Sequence, residues 1–380
     1  MELNSDFDIS LLHTMVGGLS SLDTPKLYIK SLDEAYSFLK SYGFDLHNPH
    51  DEKKLWYYHR RALVLLREKL LDPQEEIPFE LADQKQLKDI RNLLLYASND
   101  CVAGSKEKEL QKWSCALLRV IHVFVHSEND LFSFFSEDIQ NQILSPIQAC
   151  VFHEGDKVIF KHPFSSEEIT LKHFETKPFK TSASSVIKML SKSDVVALKV
   201  LDKLGVRFIT ENLVDAFRLS LFLAERNIIN FAHVIPDQSS NNLYPLNLFV
   251  ESVKSYLNDR DSMLQLSHSA DFEKELYKKW GEQKDKAILI RKENSFSDSE
   301  YRFIKFICRK LITINNSKGP FSFFYPFEIQ IMDHNTYLKN QTGTSQHDLY
   351  KEKQRQAARK RVFPDLYDNA NSSSKEKKSV

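Results

Sequence analysis

Glycine is scarce in this chain: nine residues in 380, where ordinary usage is about 7%. Neither G-x-G-x-x-G nor G-x-x-x-x-G-K-[ST] occurs. A site that cradles phosphate on glycine backbone, of the Rossmann or P-loop kind, is therefore excluded, and any phosphate bound here must be met by side chains. Cysteine is scarce too. Cys101, Cys115, Cys150 and Cys308 form no C-x-x-C pair, which argues against a disulfide scaffold or a zinc finger. No apolar run approaches the ~18 residues of a membrane span. Residues Met1 to Ser10 are acidic and carry no apolar stretch of the signal-peptide kind. Neither charge sign is in excess, with Lys+Arg and Asp+Glu both at 52. The simplest expectation is a cytoplasmic protein with no membrane contact.

What is present reads as two regions. A length of 380 and a hydrophobic fraction of 42% suit two cores. Residues 1–150 read as a bundle of five or six helices. Trp56, Leu63, Leu66 and Leu70 fall at helical spacing, as do Leu87, Ile90, Leu93 and Leu94, and then Trp113, Leu117, Val120, Ile121 and Phe124. Residues 151–174 read as a β-hairpin linking the two regions. Residues 175–365 alternate strands and helices, with strands at Leu204–Thr210, Tyr301–Thr313 and Phe324–Met332 and helices at Leu213–Glu225 and Gln346–Arg361. Residues 366–380, rich in Ser and Lys, are expected to lack fixed structure. The fold class is α+β: a helical bundle followed by a mixed β-sheet with flanking helices.

Four pieces of the second region carry chemistry. Asp202-Lys-Leu-Gly205-Val-Arg207 opens a strand. Phe327-Glu328-Ile-Gln330-Ile331 alternates, which sets Glu328 and Gln330 on one side. Lys177-Pro-Phe-Lys180 and Ser184-Ser-Val-Ile-Lys188-Met189 lie upstream, and Gly343-Thr-Ser-Gln-His347-Asp-Leu-Tyr350-Lys351 downstream. Each alone also reads as an ordinary strand edge or helix face.

In this order the pieces resemble the synthetase domain of the RelA/SpoT family, which transfers pyrophosphate from ATP to the 3′-hydroxyl of a guanine nucleotide. Lys177, Lys180 and Ser184–Met189 look like its basic S-I-x-x-K-M segment. Asp202, Gly205 and Arg207 match D-x-x-G-x-R. Asp215-Ala-Phe217-Arg218 is similar to its E/D-x-x-Y/F-R helix, Glu300–Cys308 to G-Y-R-S-I-H-L-V-V, Glu328–Ile331 to E-I-Q-I, and Gly343–Lys351 to G-x-A-x-H-x-x-Y-K. The resemblance covers roughly 175–355. It implies a nucleotidyltransferase-like fold, ATP as donor, Mg²⁺ on Asp202 and Glu328, and Glu328 as metal ligand or as base toward the attacking hydroxyl. It implies that Lys177, Lys180, Lys188 and Arg207 neutralise the triphosphate, that Tyr301 stacks on the acceptor base, and that His347 and Lys351 sit near acceptor phosphates. The residue types suit that chemistry, because Mg²⁺ takes hard carboxylate oxygens and cations offset phosphate charge.

Departures fall on the acceptor side. The family's K-x-N-G-Y-R-S-x-H becomes Ser297, Ser299, Glu300, Tyr301, Arg302, Phe303 and Lys305, and the Arg after E-x-Q-I becomes Met332. Asn242-Leu-Tyr244 offers a second candidate for the acceptor tyrosine. Two classes of function stay open: a transferase acting on a nucleotide or RNA hydroxyl, or a module of the same fold that binds nucleotide, RNA or protein without turnover. In the helical region His50-Asp51 lacks the E-D partner of a hydrolase signature. His122 and His126, at i and i+4, read either as a zinc pair or as partly buried histidines. Lys351–Arg361, with six basic residues and one acid, reads as a solvated face or a phosphate-binding one.

Overall fold

The computed structural model describes residues 14–128, 131–155, 157–177, 182–192, 201–254, 256, 266, 269–290, 301–317, 319–342 and 344–364, without the side chains of 132, 182, 342 and 344–349. The chain forms two compact units. A helical unit comprises Met1–Asp130, Thr181–Val200 and Lys351–Val380, and a sheet unit comprises Leu131–Lys180 and Leu201–Tyr350.

The helical unit contains no strand among its described residues. Its helices begin and end on local signals. The Ser31 side chain accepts from the Glu34 N–H to open Leu32–Tyr42, and Asn48 with a proline at the first position opens Pro49–Leu65. The latter runs on into a π-helical turn, Leu66–Leu70. The helix expected to carry Leu87, Ile90, Leu93 and Leu94 is broken. Gln84–Leu87 stops at Lys88, Asp89 accepts from the Arg91 N–H and side chain, and a new helix runs over Asn92–Ser98. Local aspartate hydrogen bonds thus win over an uninterrupted apolar stripe. The long helix Lys106–Glu128 contributes Trp113, Leu117, Val120 and Phe124 to a core shared with Leu55, Leu66, Leu93, Met189, Leu190 and Val362.

The basic C-terminal helix, Thr344–Val362, is not a solvated face in its last turns. Arg359 is paired with Glu75 (2.6 Å) and Asp72 (3.2 Å), and Arg361 holds Asp23 (2.6 Å) and the Lys192 carbonyl (2.8 Å). Arg119 donates to the Leu22, Thr24 and Val362 carbonyls, each at 2.8 Å. These guanidinium groups satisfy backbone oxygens at helix ends, which would otherwise be buried without partners.

The sheet unit is built on a seven-stranded mixed sheet. Its strands are β1 (Val151–Glu154), β2 (Lys157–Lys161), β3 (Glu168–Lys177), β4 (Gly205–Thr210), β5 (Ser240–Asn241), β6 (Ile304–Asn316) and β7 (Gly319–Asp333). The spatial order is β1-β2-β3-β4-β7-β6-β5, with β4 and β7 parallel and every other pair antiparallel. Residues 151–174, expected as a linking hairpin, supply β1, β2 and most of β3. The strands expected at 301–313 and 324–332 form one long hairpin, and Gly319 at φ 114° lets β7 leave its turn. Val206, Phe208, Ile329 and Ile331 point to the core face, under the helix Leu213–Glu225, which contributes Leu219 and Phe222. The helix Leu131–Gln148 was expected in the N-terminal region, but its stripe of Ile139, Ile143 and Ile147 joins this core. An apolar stripe shows that a helix is buried, and not against which core. Among the described residues no helix is long and apolar enough to cross a membrane.

Two outcomes are expected for the helical unit. Arg359→Ala removes a charged group hydrogen-bonded to Glu75 and to the Leu70 carbonyl, and should lower stability by roughly 2 kcal/mol in urea unfolding. His122 is half-buried, with Tyr42 Oη 2.7 Å from its Nδ1 and the His126 ring centroid 4.3 Å away. Burial pulls its imidazole down to about 4, and His126 and Arg361 push the same way. A folded pKa below the unfolded one means the unfolded chain binds the proton first as pH falls from about 6.5. Stability tied to His122 should therefore fall between about pH 6.5 and 4. The urea midpoint of His122→Gln should depend less on pH across that window than the unsubstituted chain's.

Candidate functional site

Register across the sheet brings polar side chains of four strands to one face. Lys177 of β3 lies opposite Gly205 of β4, which lies opposite Glu328 of β7. One step along, Glu175, Arg207, Gln330 and Lys305 stand in a second row across β3, β4, β7 and β6. Period-two alternation then places all of these on the face away from Val206 and Ile329.

Gly205 sets the spacing. A Cβ built there would lie 2.8 Å from the Glu328 carbonyl oxygen and 3.1 Å from the Glu328 Cβ. The Glu328 N–H donates to the Leu204 carbonyl at 2.9 Å. Only a residue without a side chain lets β4 close on β7 at this point. Asp202 sits in the turn just ahead of β4.

Glu328 is 4% exposed and held by two cations. Lys177 Nζ donates to Oε1, and Lys305 Nζ lies 3.7 Å from Oε2. Burial raises its carboxyl pKa, but the Lys177 and Lys305 charges outweigh that and leave it below the usual glutamate value, with Asp202 acting in the opposite direction. The charges of Asp202 and Glu328 therefore act on one another. Arg207 Nε donates to Gln330 Oε1 at 2.9 Å, and its Nη1 donates to Glu175. The Gln330 and Arg207 side chains both act on the Tyr301 hydroxyl. Burial raises that hydroxyl's pKa, which Arg207 opposes. The Asn242 side chain fixes the Tyr301 segment, donating to the Tyr301 carbonyl at 2.7 Å and accepting from the Phe303 N–H at 2.8 Å.

The sequence-derived residues divide accordingly. Asp202, Arg207, Glu328, Lys177 and Tyr301 come together in the sheet unit. Lys188, on the helix Ser182–Ser191, and Lys351 belong to the helical unit. His347 lies on the helix Thr344–Val362, its side chain outside the described residues, as is all of Lys180. Tyr244 is no acceptor-stacking residue: it is fully buried and its hydroxyl donates to the Leu276 carbonyl at 2.7 Å. Phe217 stacks on Phe249, and Arg218 binds Asp215 at 2.5 Å within the same helix. Asp333, beyond the lost Arg of the E-x-Q-I segment, accepts from the Thr336 N–H at 2.9 Å and so caps the following helix. Sequence reading gave Glu175 and Lys305 no role. Both fall on alternating strand positions, but only the register across four strands shows which neighbours they meet.

Asp202 and Glu328 each carry hard oxygen donors, and the charge of one acts on the other. Among the described residues no group of three or more His, Cys, Asp or Glu is placed to hold a metal ion. The pair therefore suits an ion that takes one or two carboxylates and completes its shell with water and phosphate oxygens, as Mg²⁺ does.

Gly205→Ala should force β4 and β7 apart and lower stability by about 1–3 kcal/mol. Gly281→Ala is the control: it lies in the helix Ala270–Glu282 with nothing within 4 Å of its added Cβ, and it should be neutral or stabilising. Denaturant midpoints of the two variants decide this.

No family model and no curated protein matches the chain. Solved structures do. A GTP pyrophosphokinase family protein from Streptococcus pneumoniae matches at 12% identity and a TM-score of 0.27, covering 65% of this chain and 96% of its own. The small alarmone synthetase 2 from Bacillus subtilis matches at 10% identity and 0.28, over 68% and 97%. The small alarmone synthetase 1 from Bacillus subtilis, bound to its product pppGpp, matches at 15% identity and 0.26, over 54% and 80%. At such scores these likenesses carry no argument about this chain.

Proposed function

We propose that the Glu328 cluster is the donor and metal half of a transferase that moves pyrophosphate from ATP to the hydroxyl of a nucleotide or RNA. What supports this reading is a single juxtaposition. Glu328 and Asp202 act on one another at the end of the β4–β7 pair, with Lys177, Lys305 and Arg207 around them. Bound Mg²⁺ supplies charge neutralisation at the donor phosphates.

The side chains do the rest. Lys177, Lys305 and Arg207 donate to phosphate oxygens, where charge grows as the β-phosphorus is attacked. The acceptor oxygen forms a bond to the β-phosphorus, the bond from that phosphorus to the α,β-bridging oxygen breaks, and AMP leaves with the electron pair. The hydroxyl proton passes to solvent. Glu328 is a weak base for it, because its carboxyl is held below the usual glutamate range. Its role is then that of a metal ligand. The ring of Tyr301 offers a face for the acceptor base.

One observation favours the second class, a nucleotide-binding module without turnover. Lys177, Lys305 and Arg207 are met by Glu328, Asp202 and Glu175, so the site is charge-balanced before any ligand enters.

Incubation with labelled ATP, Mg²⁺ and GDP, GTP, ADP or tRNA separates the two. Transfer is expected, and Asp202→Asn and Glu328→Gln should each lower kcat at least ~100-fold, in line with loss of transition-state charge stabilisation. Mg²⁺-dependent ATP binding without modification of any acceptor would move the assignment to the binding module. Failure to bind ATP at all would sink both.

A further inference from the structure

The helical unit has a concave site of its own, apart from the Glu328 cluster of the sheet unit. It is an open cavity of about 960 Å³, lined by Arg60, Arg67, Phe79, Asp83, Lys85 and Lys88 among others. Four cations thus face one acid. Asp83 is already engaged, accepting from the Lys85 backbone N–H at 2.6 Å. None of the four cations makes an ion pair with a described residue, whereas Arg61, Arg91, Arg359 and Arg361 of the same unit are paired with Glu128, Asp89, Glu75 and Asp23. Uncompensated positive charge gathered in a concavity is an anion site.

Spacing and shape narrow the anion. Arg60 and Arg67 are seven residues apart on Pro49–Leu65 and its π-helical extension, so their stems leave the helix about 10 Å apart. That span suits several phosphates rather than one. The cavity lies at the upper end of the ~300–1,000 Å³ range of small-ligand pockets, and it is open, which suits a chain passing through. Phe79 adds an aromatic ring 62% exposed at its edge. Lys88 has a backbone that a lysine rarely adopts: φ 60° and ψ −49°, with the Asp89 N–H donating to the Leu87 carbonyl at 2.6 Å. This is a γ-turn of the strained, positive-φ kind, held by a cationic side chain where glycine would relieve the strain.

We propose that this cavity binds single-stranded nucleic acid, with Arg60, Arg67, Lys85 and Lys88 on successive phosphates and Phe79 under one base. Cations along a groove and a ring for stacking are the two parts such a site needs.

The test is fluorescence anisotropy of the full chain with a labelled oligouridylate of about a dozen nucleotides, titrated across salt. Four phosphate contacts give a slope of log K against log[salt] near −3. Arg60→Ala with Lys85→Ala should halve that slope and weaken binding at least tenfold. Phe79→Ala should weaken binding between about fivefold and a hundredfold with the slope unchanged. Lys88→Gly should lose about 0.7 of the slope while its thermal midpoint stays level or rises. That variant keeps the test open if the double substitution fails to fold by circular dichroism. No binding at about 50 mM salt, or binding that these substitutions leave untouched, would overturn the proposal. So would displacement of the strand by tripolyphosphate or ATP at equal phosphate concentration, since the ligand would then be a small polyphosphate. Pyrophosphate transfer is not read in this assay, so its outcome is separate from that of the Glu328 site.

Discussion

The sheet unit depends on the close approach of β4 and β7 at Gly205. Among the described residues these two strands are the one parallel pair in an otherwise antiparallel sheet, and the chain between them must cross over and return. Where they meet, a Cβ at residue 205 would press on the Glu328 backbone. That contact fixes how Glu328 projects, and through it where Lys177, Lys305 and Asp202 act. The core side of the same pair is Val206 and Phe208 against Ile329 and Ile331. One strand pair therefore carries the hydrophobic core on one face and the polar cluster on the other, and neither can shift alone.

Electrostatics then give the cluster its character. A buried glutamate beside another acid would ordinarily be driven toward its neutral form. Two lysines reverse that, and Glu328 stays ionised. An ionised carboxylate among cations is a ligand for metal and a partner for phosphate-bound water, and a poor proton acceptor. Arg207 is likewise held in place by Glu175 and Gln330, so its planar fork is oriented before any ligand arrives. The same logic runs the other way in the helical unit. Most of its arginines are used up on carboxylates and helix-end carbonyls, and among the described residues Arg60 and Arg67 at the Phe79 cavity are the exceptions.

Much of the fold was legible from pattern. The helices over Leu213–Glu225 and Lys106–Glu128 and the strands containing Arg207 and Glu328 follow from apolar periodicity and caps. The break at Lys88 was not, because an unbroken apolar stripe outweighs a single Asp-x-Arg step in any reading by period. Nor was the allegiance of Leu131–Gln148, whose isoleucine stripe fits either core. For the polar cluster, motif order reached Asp202, Arg207, Glu328, Lys177 and Tyr301, while Lys305 and Glu175 stayed hidden. Their meaning lies in the register of β3 on β4, β4 on β7 and β6 on β7 taken together, which no single strand shows.

The scarcity of glycine shows where the two kinds of information divide. From the sequence alone it follows that phosphate cannot be met by a glycine-rich loop here, that the chain holds two cores' worth of apolar residues, and that Glu328 and Gln330 share a strand face. Those are consequences of composition and local period. That Gly205 is the point where two distant strands touch, that two lysines keep Glu328 charged, and that the arginines of the basic C-terminal helix bind carboxylates and carbonyls were decided by tertiary structure. Each depends on which groups are brought within a few ångströms of one another, and strand order and packing determine that distance.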